Sequence, residues 1–424
     1  MTGIDRLVTA RVLAVALIVL YVVCLLRLHE RGKYSVKDDI HATMNLDHRA
    51  QKAVYEGDVG QSLVASTVDS DKALTPTASN AIFDHQKDEV KLPSLSRQAY
   101  TTLHSCQLHN KTITLPTAPY LIIIGAQKAG TTSMTKWLNE HPQVSPGIHP
   151  NRKESHFFDG IFAGLLAARK SGTWSGTDDE FYCWARQRYA EVLYDTRSLI
   201  KGMVNGRNPL ITFDKTPSFI HLKDCPEYVA RTCPWGVKIL VLLRNPVDRA
   251  FSQHDMDILK NSQLYPAFED RLRSEVGKMR RLGLNHMPLL PKNATLKDIE
   301  GLVFPRLIGT HEEELMRFEQ LKGMPLLKKG MYAIQLREWL KKIPRSNIFV
   351  QFYEDLKRNP DHIFLYVQQF LGLRNHSLAT YSHFKAGNYT PMNNATRRYL
   401  ERFFEPYNRQ MEELWGEPMH PAWN

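Results

Sequence analysis

The chain has 424 residues, of which 43% are hydrophobic, and carries a formal net charge of +11 at pH 7. That length fits two domains or one large domain with appendages, and the apolar content is that of a globular protein with a sizeable core. The basic balance favours an anionic partner: nucleic acid, a membrane surface or an acidic polymer. Nucleic acid is the weaker of these, because the sequence has no zinc-finger spacing, no RNA-binding aromatic signature and no long basic helix.

In chain order, residues 1–11 read as a short cytosolic tail. The apolar run Val12–Leu26 follows, between Arg6 and Arg11 on one side and Arg27, Arg31 and Lys33 on the other. It falls short of the ~20 residues a membrane span needs, but Leu7–Leu28 reaches that length if Arg11 and Arg27 snorkel. A cleaved signal peptide competes with this reading, yet no small-x-small cleavage site follows. The expectation is an uncleaved signal-anchor helix over residues 12–28. Residues 29–117 are polar without sustained periodicity, as in a stem or linker of low order. From residue 118 to 424 the texture is that of an α/β domain. Buried strands are expected at Tyr120–Ile124, Lys238–Leu243 and Asn347–Phe352, with amphipathic helices at Gly330–Lys342 and Asp361–Leu371, hence a parallel sheet with helices on both faces. The cluster Lys278–Arg281 reads as a solvated helix face.

The most informative stretch is Leu121-Ile122-Ile123-Ile124-Gly125-Ala126-Gln127-Lys128-Ala129-Gly130-Thr131-Thr132-Ser133. It reads as a buried strand, a glycine-bearing turn and the start of a helix over Met134–Asn139, whose first-turn amides face an anion. This makes the fold a P-loop-like three-layer sandwich. In a loop for ATP or GTP the lysine directly follows the last glycine; here Thr131 stands there and Lys128 lies inside the turn, so the nucleotide is a different one. Gln127, Lys128, Ala129, Gly130, Thr131, Thr132 and Ser133 are the candidate phosphate ligands, and the hydroxyls among them also suit N-capping. A second strand-to-helix turn, Ile239–Ser252, ends its strand in Arg244-Asn245-Pro246. Arg244 offers a planar fork for a phosphate dianion and Ser252 adds a hydroxyl. Arg249 reads as structural, paired with a nearby carboxylate.

Gly-x-x-Lys-x-Gly-Thr-Thr-Ser after an apolar strand resembles the 5′-phosphosulfate loop of sulfotransferases, and Arg244 with Ser252 resembles their 3′-phosphate site. Glu154-Ser155-His156-Phe157-Phe158-Asp159 resembles the Glu-x-His-Phe-Phe segment of Golgi carbohydrate sulfotransferases, and Asp214-Lys215-Thr216-Pro217-Ser218 their Lys-Thr/Ser-Pro/Ala segment. Lys385–Met392 is similar to the late loop over the nucleotide, with Gly387 where the family often has arginine, and Leu400–Asn408 is similar to the final helix. The resemblance runs roughly from Pro119 to Gly416 and is nearest to the heparan- and chondroitin-type enzymes. It implies 3′-phosphoadenosine 5′-phosphosulfate (PAPS) as co-substrate, with no metal, and sulfuryl transfer to a carbohydrate hydroxyl. Lys128 would stabilise the leaving phosphate, Glu154 would serve as base with His156 as the alternative, Lys215 would lie near the sulfuryl group, and Lys385 would cover the nucleotide.

The acceptor implied is a glycosaminoglycan-like or otherwise acidic polysaccharide, with Arg152, Lys153, Arg169 and Lys170 as candidate contacts. The location implied is the Golgi membrane, single-pass type II, with a luminal catalytic domain. Sequons stand at Asn110, Asn293, Asn375, Asn388 and Asn394; Asn388 and Asn394 are expected to stay unmodified because they fall in or near the covering loop. Cys24 lies in the apolar run. Cys106, Cys183, Cys225 and Cys233 allow several pairings, and the close pair Cys225 and Cys233 could close a small loop before the Ile239 strand. Two other readings compete: a P-loop nucleotide kinase, and a non-catalytic luminal glycan-binding protein on a sulfotransferase scaffold.

Overall fold

The computed structural model describes residues 103–145, 154–194, 211–260, 265–284, 286–304, 310–381 and 391–423. It opens on an antiparallel hairpin, β1 (Leu103–Leu108) and β2 (Lys111–Pro116). His109 and Asn110 turn it with φ of 48° and 60°. Asparagine tolerates this left-handed region better than most residues, which suits a two-residue turn. The hairpin falls within the stretch 29–117, so the end of that stretch is β-structure. Its inner face, Ile113 and Leu115, packs on Cys183.

A disulfide joins Cys106 to Cys183 in α3 (Asp178–Leu193), with a Cα–Cα distance of 5.8 Å. The pairing open to Cys225 and Cys233 does not occur, and both are buried free thiols. They flank α4 (Cys225–Thr232), a helix of 8 residues. At ~1.5 Å rise per residue its ends lie ~12 Å apart, well beyond the ~7 Å Cα limit of a disulfide.

The central sheet is four-stranded, in the order β4-β3-β5-β6. Its strands are β3 (Leu121–Gly125), β4 (Phe213–Lys215), β5 (Lys238–Leu243) and β6 (Ile348–Phe352), and every neighbouring pair is parallel. All of β3 and nearly all of β5 are buried. Such continuous apolar runs are what a strand covered on both faces requires. Helix α1 (Thr131–Glu140) follows β3, and α5 (Pro246–Lys260) follows β5. The remaining frame comprises α2 (Phe162–Lys170), α6 (Phe268–Arg281), α7 (Leu296–Glu300), α8 (His311–Gln320), α9 (Tyr332–Leu340), α10 (Tyr353–Arg358), α11 (Pro360–Leu371) and α12 (Asn394–Trp415). One core surrounds the sheet; a second gathers α5, α6, α8, α9 and α12 around Phe318, Ile334, Tyr399 and Phe403. The expected α/β sandwich is therefore present, with β4 as a strand that hydrophobic pattern did not anticipate.

Among the described residues no helix is long and apolar enough to cross a membrane. The longest, α12, has 22 residues but carries arginine and glutamate throughout. The anchor expected over residues 12–28 lies outside the described residues, as do the tail 1–11 and most of the stretch 29–117. The membrane-anchor part of the fold expectation is corrected accordingly. With it go the readings that depended on it: the membrane as a partner, signal-anchor type II topology, and a Golgi-membrane location.

Candidate active site

Gly125 ends β3 where the segment after β4 crosses close by. A Cβ on it would lie 2.6 Å from Ile220 Cγ2 and 3.2 Å from the Pro217 carbonyl, so only glycine fits. The Ala126 amide donates to Leu242 O at 2.6 Å, tying the loop to β5. The chain then turns through Lys128 and Gly130, with φ of 75° and 84°. Left-handed residues inside a tight loop turn successive amides toward one concavity, the geometry of an anion nest. Gly130 is also packed, since a Cβ there would meet Tyr353 at 3.0 Å.

Gly130 is the N-cap of α1, and no side chain caps it. N-capping, the other role open to the Thr131, Thr132 and Ser133 hydroxyls, is not taken up at this helix start. The helix begins at Thr131, three residues earlier than the hydrophobic pattern indicated, which places these hydroxyls inside the first turn. Thr131 and Ser133 are buried, and the first turn holds no acidic residue. A helix start without internal carboxylate suits an external anion.

Arg244 leaves β5 beside this loop. Its Nη1 donates to Lys128 O at 3.1 Å, and its guanidinium lies 4.7 Å from the Tyr353 ring centroid. Tyr332 OH donates to Arg244 O at 2.8 Å, and the Asn245 amide donates to Glu354 Oε1 at 2.8 Å. Ser252 is buried on α5. The two strand-end turns singled out in the sequence are therefore in direct contact. Arg249 is structural, as expected, but its partners are carbonyls rather than a carboxylate: Nη2 donates to Pro325 O at 2.8 Å and to Leu326 O at 2.6 Å.

A third group forms around β4. Lys215 is buried, and its Nζ donates to Glu154 Oε1 at 3.1 Å. The other oxygen, Glu154 Oε2, lies 3.4 Å from His156 Nε2. His156 Nδ1 is 3.0 Å from Asp159 Oδ2, which also accepts from Ser218 Oγ at 2.5 Å. Beneath this chain sits Asp214, wholly buried. Its Oδ2 accepts from Ser155 Oγ at 2.6 Å and from Tyr189 OH at 2.7 Å, and its Oδ1 accepts from Thr216 Oγ1 at 3.1 Å. Burial pushes its carboxyl up, against those hydrogen bonds. Ser155 is chain neighbour to Glu154 and Thr216 to Lys215, so Asp214 fixes both ends of the Glu154–Lys215 pair.

Lys329 joins the loop at Gln127 from a distant segment. Its Nζ donates to Gln127 Oε1 at 2.7 Å. Burial first, then Arg249 and Lys260, push its ammonium down to about 8, while Asp257 and Glu154 favour the charged form.

Several anticipated residues come together in this way: Gln127, Lys128, Ala129 and Gly130 with Arg244, and Glu154 with Lys215 and His156. Lys385, Arg152 and Lys153 lie outside the described residues. Arg169 is engaged elsewhere, 2.5 Å from Asp178. Sequence reasoning missed the placing of Asp214, Asp159 and Lys329. Asp214 and Asp159 carried a faint signal as neighbours of matched segments, whereas Lys329 in Lys-Lys-Gly looks like any surface lysine.

The sulfotransferase domain family matches residues 118–415. With that match over most of its length, the chain belongs to this family. Among curated relatives, the membrane-associated sulfotransferase kil1 of Dictyostelium discoideum is 24% identical over 339 residues, covering 70% of this chain and 65% of that protein. Heparan sulfate glucosamine 3-O-sulfotransferase 6 of Homo sapiens is 24% identical over 323 residues, covering 70% of this chain and 72% of the relative. The crystal structure of a sulfotransferase from Alicyclobacillus acidocaldarius aligns with 22% identity and a TM-score of 0.45, covering 72% of this chain and 98% of that one.

Proposed function

We propose that the chain transfers a sulfuryl group from PAPS to a hydroxyl of a carbohydrate, with a glycosaminoglycan-like or other acidic polysaccharide as acceptor. The observation that carries this reading is the hydrogen bond from Arg244 to the backbone of Lys128. It sets a guanidinium fork beside a glycine-bearing anion loop, so one bisphosphorylated nucleotide can engage both. The residues present suit the donor's phosphates: a left-handed loop, a helix start free of acidic side chains and an arginine at the neighbouring strand end.

In this reading Lys128 and the amides of residues 127–133 hold the 5′ end, and Arg244 with Ser252 holds the 3′-phosphate. Charge grows on the leaving phosphate as the S–O bond breaks, and a lysine there stabilises the transition state more than the ground state. Glu154 takes the proton from the acceptor hydroxyl as the new O–S bond forms. Lys215 orients Glu154 through one oxygen, and His156 contacts the other, from where it can accept the proton in turn. The net positive charge of +11 assists approach of a polyanionic acceptor.

The test is incubation with labelled donor against a panel of glycans, followed by disaccharide analysis. Label on an acidic polysaccharide supports the reading. Absence of label on every glycan, in a preparation that binds adenosine 3′,5′-bisphosphate, contradicts it.

A further inference from the structure

We infer that Lys329 is a ligand of the donor's sulfuryl group, leaving Gln127 for a sulfuryl oxygen when the donor binds. This rests on the sulfotransferase reading above and adds a residue to it.

The first support is placement. Lys329 Nζ is 2.7 Å from the side chain of Gln127, the residue next to Lys128 in the donor loop. Its field also reaches Glu154, the proposed base. The ammonium therefore lies between the Gln127 loop, Glu154 and the α5 face that carries Arg249 and Asp257, within reach of the place where sulfur would meet the acceptor.

The second is how firmly it is held. Arg249 and Glu275 are both buried, and they grip opposite groups of the same short backbone stretch. Arg249 donates to the carbonyls of Pro325 and Leu326, at 2.8 and 2.6 Å. Glu275 accepts from the amides of Leu326 and Leu327, at 3.1 and 2.9 Å. Gln335 Nε2 donates to Lys328 O at 3.1 Å. Gly330 closes the stretch against α12 and α5, since a Cβ there would lie 2.6 Å from Phe404 and 3.0 Å from Pro246. Burying two ionisable side chains to fix a few residues of backbone is unfavourable unless their position matters. What they position is Lys329.

The third is chemistry. Among the described residues Lys329 hydrogen-bonds a neutral amide and no carboxylate. A half-buried ammonium so placed gains a charge-assisted bond when an anion replaces the amide. A sulfuryl oxygen arriving beside Gln127 is such an anion.

The experiment measures, on the full chain and without acceptor, the dissociation constants of PAPS and of adenosine 3′,5′-bisphosphate, which lacks the sulfuryl group. Lys329→Met should weaken PAPS by ~10-fold or more, the scale of one charge-assisted hydrogen bond, and should leave the bisphosphate within ~2-fold. Lys329→Arg, which keeps the charge, should recover most of the loss. A parallel weakening of both ligands, or no change in either, overturns the inference. A second readout needs no variant: the wild-type preference for PAPS over the bisphosphate should decline as pH rises from 7 to 9, through the value of about 8 for Lys329. The charged and titrating groups facing it are Arg249, Asp257 and Lys260 on α5, Glu154, and His221, which burial holds near 3 and therefore neutral in this range. A preference constant with pH overturns the inference as well. Failure of the wild type to bind the bisphosphate, or undiminished binding by Arg244→Ala, defeats the functional reading itself.

Discussion

Lys128 turns the chain at φ 75°, in a region that a residue with a Cβ enters at a penalty of ~1 kcal/mol. Glycine would relieve that strain but would remove the ammonium. Lys128→Gly should therefore raise stability by up to ~1 kcal/mol while lowering turnover by ~100-fold, the usual scale for losing a charge-stabilising group. Thermal melts and initial rates on one preparation check both halves. Glu154→Gln should lower turnover by ~100-fold, as for loss of a general base, and near-normal turnover removes Glu154 from that role. Asp214→Asn keeps the shape but weakens the acceptor for Ser155, Tyr189 and Thr216, so it should lower turnover with little change in donor affinity. The nearness of Lys128 to Arg244 and of Glu154 to Lys215 could be anticipated because each residue sits in a short local motif. The contacts of Asp214 and Lys329 could not, because partners such as Tyr189 and Gln127 are brought near only by the folded chain.

Among the elements, the buried clamp on residues 325–327 has a pH signature. Burial raises the Glu275 carboxyl to about 7, against the amides of Leu327 and Leu326 that favour its charge. A carboxyl raised on folding contributes stability that is complete below its unfolded value of ~4.3. That contribution is lost as pH rises through the folded value. The stability of the wild type relative to Glu275→Gln should accordingly fall between pH 5 and 8 in urea titrations; a difference independent of pH would refute this. The hairpin gives a second element-level expectation. The Cys106–Cys183 bond spans 77 residues, and cross-links of that span contribute ~2–4 kcal/mol. The Cys106→Ser, Cys183→Ser double variant should lose stability on that scale. Strands β3, β5 and β6 were readable as short apolar runs between turn signals. Strand β4 was hidden because it has 3 residues and two are charged; a buried edge that carries Asp214 and Lys215 obeys the site, not hydrophobic patterning. The disulfide was hidden because Cys106 and Cys183 lie far apart in sequence, while the close pair is separated by a rigid helix.

For the whole molecule, the sheet order explains why two motifs distant in sequence lie side by side. β3 and β5 are parallel neighbours at the centre of the sheet, so the turns that follow them open side by side at its carboxyl end. Ligands of open parallel sheets collect outside the carboxyl ends of the strands, and both phosphate-type turns are there. The family match over residues 118–415 covers all four of these strands. The membrane assignment is corrected at this same scale: it rested on the hydropathy and basic flanks of residues 12–28, which lie outside the described residues, and no described helix is long and apolar enough to span. The central claim is that the loop at Lys128 and the fork at Arg244 grip one bisphosphorylated nucleotide. Isothermal titration with adenosine 3′,5′-bisphosphate tests it most directly. Tight binding with one site, abolished in Arg244→Ala and not matched by ATP, is the predicted result; equal affinity for ATP, or binding unaffected by Arg244→Ala, would contradict it.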